Sequence, residues 1–95
     1  MNVIYKGANS VSILSLCNDI PQGETRIYAF SPNANNISDY PSAMTSAGAI
    51  YRPFIRIEKY DYSVIEIVAV VGDWIPKKII GFLNSGVIKW SSVFS

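Results

Sequence analysis

The stretch Ile50–Val71, IYRPFIRIEKYDYSVIEIVAVV, decides how the chain is built. It holds two alternating, β-branched arms on either side of a break at Tyr60, Asp61 and Tyr62. Side chains along a strand alternate between faces. The first arm therefore puts Tyr51, Pro53, Ile55 and Ile57 on one face and Arg52, Phe54, Arg56 and Glu58 on the other. The second sets Ile65, Ile67, Ala69 and Val71 against Val64, Glu66, Val68 and Val70. A turn over Tyr60–Tyr62 brings Ile57 opposite Ile65, Ile55 opposite Ile67 and Arg56 opposite Glu66. Such loops usually carry a left-handed glycine, and this one has none. The neighbouring registers are worse. A turn at Asp61 and Tyr62 places Glu66 beside Ile57 and mixes the faces. A turn over Asp61–Ser63 sets Glu58 against Glu66, two like charges across a strand pair. The chosen register predicts one buried aliphatic face and one amphipathic face.

Working outward, Val3–Lys6 reads as a short strand, and Val11–Cys17 (VSILSLC) alternates well enough to be read as a second. Glu24–Phe30 (ETRIYAF) is a third, rich in β-formers. After the polar loop Ser31–Ser38, a helix is expected over Asp39–Ala47. Asp39 is its N-cap, Pro41 lies in its first turn, and Tyr40, Ala43, Met44 and Ala47 form one face. A second helix is expected over Ile75–Ser85, with Pro76 near its start, Gly86 past its end and Ile75, Ile79, Phe82 and Leu83 as its apolar face. Gly81 weakens that reading, since glycine inside a helix costs about 1 kcal/mol against alanine. Val87–Phe94 closes the chain as a strand. The expected fold is α+β: a predominantly antiparallel sheet with two short helices, in the order β-β-β-α-β-β-α-β. From the third strand onward this order resembles the ferredoxin-like fold. An RNA-recognition module shares it, but the aromatic signature of that module is absent from the third strand and from the central hairpin.

At 95 residues the chain is expected to form a single domain, residues 1–95. Hydrophobic residues make up 49% and charged residues only 16%. So much apolar surface in so short a chain points to self-association, with a homodimer as the simplest form. The net charge of +1 implies neither a nucleic acid nor an anionic membrane. With no histidine, nucleophile systems built on imidazole, histidine metal sites and histidine pH switches are excluded. One cysteine, Cys17, leaves no internal disulfide and no zinc cluster. A lone thiol, a start without a long apolar stretch and no run long enough to span a bilayer together predict a cytoplasmic protein, with no membrane partner.

No residue pattern calls for a cofactor, a metal or catalysis. The carboxylates Asp19, Glu24, Asp39, Glu58, Asp61, Glu66 and Asp73 are scattered, and spacing sets no two as an acid/base pair. Cys17 on an apolar stretch reads as a small buried hydrophobe. The features that remain are those of an interface. Arg52, Phe54 and Arg56 share a sheet face, with Arg26, Tyr28 and Lys89 as candidate neighbours, and Tyr60 and Tyr62 sit at the hairpin end. Arginine and aromatic residues are enriched at protein contacts. The plainer reading is a solvated sheet face with Arg56 paired to Glu66. The sequence thus predicts a non-enzymatic protein-binding module of the inhibitor or immunity type, of the kind carried by a phage or other mobile element. Two alternatives are a structural component that assembles into homo-oligomers and a nucleic-acid binder using the Arg52/Phe54/Arg56 face.

Overall fold

A computed structural model of the chain describes residues 3–7, 10–30, 37–45, 50–71 and 74–93, the side chains of residues 45, 50–52 and 71 excepted. Its elements are β1 (Val3–Gly7), α1 (Ile13–Asp19), β2 (Thr25–Phe30), α2 (Ser42–Thr45), β3 (Ile50–Lys59), β4 (Ser63–Val71), β5 (Ile75–Asn84) and β6 (Val87–Trp90). The fold is α+β, with all six strands in one mixed sheet of order β1-β2-β3-β4-β5-β6. β1 runs parallel to β2, and every other neighbouring pair is antiparallel.

The central hairpin has the expected register: Ile57 faces Ile65, Ile55 faces Ile67 and Arg56 faces Glu66. All four isoleucines are buried. The loop closes with the Tyr60 amide donating to the Tyr62 carbonyl at 2.7 Å. The outer part of β3 departs from strict alternation, because the register shifts between Tyr51 and Phe54. Pro53 is buried at this bulge, one of the few places within a sheet that accept a residue without an N–H.

Two elements differ in kind from the sequence reading. Val11–Cys17 is not a strand, and the segment forms α1 instead. The Ser12 side chain caps it by accepting from the Ser15 amide at 3.0 Å. Ile13, Leu16, Cys17 and Ile20 are all buried, and their spacing is that of one helix face. The alternating reading divided these same residues between two faces. Conversely, Ile75–Ser85 is not a helix, because Ile75–Asn84 is the strand β5. Ile79, Gly81 and Leu83 turn inward; Pro76, Lys78, Ile80, Phe82 and Asn84 turn outward. The glycine that weakened the helix has a role in the strand: a Cβ on Gly81 would lie 2.6 Å from the Trp90 ring, which packs over it from β6. Ser85 and Gly86 both have positive φ, 57° and 80°, and form a tight two-residue hairpin turn. Pro76 is tolerated on the outer edge. The Ile80 amide points away from β4 to the Ser91 hydroxyl at 3.0 Å. Pro76 is in phase with Ile80, so its missing donor falls on that same side, beyond the reach of β6. The last strand ends at Trp90 rather than at Phe94.

The helix expected over Asp39–Ala47 begins only at Ser42 and is described as α2, Ser42–Thr45, with residues 46 and 47 outside the described residues. Met44 is buried as expected, whereas Ala43 is exposed, and Ala47 lies outside the described residues. Asp39 caps α1 rather than α2. Its carboxylate oxygens accept from the Ile13 amide at 2.6 Å and the Leu14 amide at 3.0 Å. The observed order is β-α-β-α-β-β-β-β, so the resemblance to a ferredoxin-like order from the third strand onward does not hold. α1, Ile37 and Met44 cover one face of the sheet and enclose the core with Tyr28, Phe30, Ile55, Ile57, Ile65, Ile67, Ile79 and Leu83. Cys17 lies in this core, where burial pushes its thiol pKa up despite a hydrogen bond with Ser63 and the nearby Lys59 charge.

Candidate functional site

α1 lies on one face of the sheet, and among the described residues no element covers the other, termed the open face. Three register rows cross it. The middle row is Ile27, Arg56, Glu66, Ile80; on one side lies Ala29, Phe54, Val68, Lys78, and on the other Thr25, Glu58, Val64, Phe82. Phe54 is 43% exposed, Val68 37%, Ile80 36% and Phe82 43%. A shallow groove of about 470 Å³ runs over Ile27, Phe54, Val68, Val70 and Pro76, with Arg56 and Glu66 at its wall. Apolar side chains gathered on one exposed sheet face differ from the scattered ones normal on any surface.

Four charges in the middle of this face are paired among themselves. Arg56 lies 3.3 Å from Glu58 along its own strand and 3.7 Å from Glu66 across the pair, and Lys78 lies 3.9 Å from Glu66. Two cations and two carboxylates thus form a neutral, alternating row. Each exposed pair stabilises the fold by no more than about 1 kcal/mol. Lys89 stands opposite Phe82 at the β6 edge of the same face and is exposed.

Of the residues singled out from sequence, Phe54 and Arg56 stand on the open face as expected. The Arg52 side chain lies outside the described residues, and strict alternation does not extend to it across the bulge. Tyr60 and Tyr62 are exposed at the hairpin end. Their ring centres lie 5.1 Å apart with the planes tilted at 44°, and Tyr62 meets Phe82 at 5.1 Å, so an aromatic run leads from the turn onto the open face. The Tyr60 hydroxyl donates to Glu58 at 3.1 Å, and that carboxylate raises its pKa. Arg26 and Tyr28 do not join this face. Tyr28 opposes Ile55 and is buried on the helix side, and Arg26 reaches back to the Asp19 carbonyl at 3.5 Å. Val68 and Val70 lie on the amphipathic face read from sequence, whereas Ile80, Phe82 and Pro76 were not recognised as site residues. The period-2 alternation of Pro76, Lys78, Ile80 and Phe82 carried that signal, and the helical reading of the segment concealed it.

Among the described residues no three side chains of the metal-ligating types converge, and no helix is long and apolar enough to cross a membrane. The chain matches no family model, no curated protein and no solved structure.

Proposed function

We propose that the protein is a non-catalytic interaction module that binds protein through the open face of its sheet, as a small binder of the inhibitor or immunity type. The observation that carries this reading is the uncovered groove of Ile27, Phe54, Val68, Val70 and Pro76, bordered by ion pairs. An apolar centre with a polar border is the usual anatomy of a protein contact. The aromatic run Tyr60, Tyr62 and Phe82 extends the contact to the hairpin end. A nucleic-acid reading has less support, since Arg56 already faces two carboxylates. A backbone binder needs cations left over for phosphates.

The test uses immobilised protein and a lysate of the source cells. Phe54→Ala should weaken capture of a specific protein by about 1–2 kcal/mol if it is a hot spot. Phe54→Asp should abolish capture, with circular dichroism unchanged in both. Capture that is equal in wild type and variants removes this face from the reading. Turnover abolished by one carboxylate substitution in a folded protein removes the non-catalytic reading altogether.

A further inference from the structure

We infer that the partner seated on the open face is a second copy of this chain, packed sheet to sheet about a two-fold axis that lies between β3 and β4 and runs along them. This deepens the interaction reading and rests on it. The inference comes from the registers. Such an axis carries each β3 residue over the β4 residue that it already opposes in its own chain. Arg56 opposes Glu66, so Arg56 lands on the second copy's Glu66, and the reciprocal contact forms with it. Phe54 lands on the second copy's Val68. One strand further out, Ile27 and Ile80 belong to the same row as Arg56 and Glu66, so the axis sets each over the other. Unlike charges meet at the centre, Phe54 meets Val68 beside them and Ile27 meets Ile80 beyond, while Glu58 and Lys78 fall over Val64 and Ala29, from which their long side chains reach the border of the contact.

The charge pattern selects this axis. A two-fold axis along the middle row, across the strands, would place Arg56 over the second copy's Arg56 and Glu66 over its Glu66. Like charges brought together in a closing interface are strongly unfavourable. The neutral row also argues for a like copy over a charged partner, because its two cations and two carboxylates bring no unbalanced charge to the centre of the contact, and Lys89 stands on β6, outside the four strands that pack. Aligned sheets normally pack about 30° apart, so the matching is best near the axis, where the charges stand. Strands β2–β5, at ~4.8 Å spacing and about six residues each, offer a flat area of about 400 Å². That is small for a stable complex, and the expected dissociation constant is micromolar.

The test is a charge exchange read by sedimentation of the purified full chain. Wild type should be dimeric at about 200 µM and dissociate on dilution through the micromolar range. Arg56→Glu should be monomeric, since the introduced carboxylate would meet the second copy's Glu66, and Glu66→Arg should be monomeric for the converse reason. An equimolar mixture of the two variants should form a heterodimer, because both cross-copy pairs become complementary again. A measurement that needs no variant runs alongside: isotope-filtered NMR of mixed labelled and unlabelled wild type should show contacts between Phe54 ring protons and Val68 methyls of different copies. A wild-type monomer at about 200 µM overturns the inference. So does a mixture no more associated than its components, or a dimer without Phe54–Val68 contacts. A monomeric wild type that still captures a different protein through Phe54 leaves the interaction reading intact and removes this one.

Discussion

Tyr40 presents a problem at the scale of one residue. Its hydroxyl is sealed from solvent and has no hydrogen-bond partner among the described residues, and burial pushes its pKa far above the ordinary tyrosine value. An unpartnered buried hydroxyl costs about 1–3 kcal/mol, so Tyr40→Phe should raise stability by about 1 kcal/mol in a urea titration. The pH dependence has a definite sign. Cys17 and Tyr40 both hold their protons more tightly folded than unfolded. Their contribution to stability is therefore full below the unfolded values, about 8.5 for the thiol and about 10 for the phenol, and is lost as pH rises above them toward the folded ones. Between about pH 9 and pH 11, across the unfolded phenol value, the urea midpoint of wild type should fall further than that of Tyr40→Phe. Equal slopes would mean that the hydroxyl is hydrated in the native protein.

At the scale of elements, β3 and β4 were legible and α1 and β5 were not, for reasons that particular residues supply. In β3 and β4 the aliphatic pattern and the Arg56–Glu66 match favour a single register, and a slip of one residue is penalised at every position. In α1 the signal was present at Ile13, Leu16, Cys17 and Ile20, but a seven-residue helix is too short to separate helical spacing from alternation. Its N-terminus is completed by Asp39, distant in sequence, and no local pattern reveals such a cap. In β5 the proline and the glycines served as helix punctuation when read locally. Only the partner strand explains Gly81, which makes room for Trp90. The open face shared this fate: Phe54 and Arg56 were readable because they lie in the legible hairpin, and Ile80 and Phe82 were lost with β5. Asp39 provides the check at this scale. Asp39→Ala removes acceptors for two amides at a helix start together with the negative charge that favours that end. It should destabilise the protein by about 1–2 kcal/mol in urea while leaving the sheet signal in circular dichroism intact.

At the scale of the whole molecule, the two faces of the sheet divide the tasks. The covered face holds the core, and the open face holds the groove, the charge row and the aromatic run. The order of the strands has a further consequence, for kinetics. Each strand lies beside its successor in the chain; from β3 to β6 the connections are short, whereas α1 lies between β1 and β2 and the long segment holding α2 lies between β2 and β3. Pairings that close short loops cost little entropy, so the β3–β4 hairpin with β5 beside it is the natural folding nucleus. The parallel edge strand has to wait until α1 has docked. In stopped-flow experiments Ile57→Val should then slow refolding, whereas Ile4→Ala should leave the refolding rate nearly unchanged and act on unfolding instead.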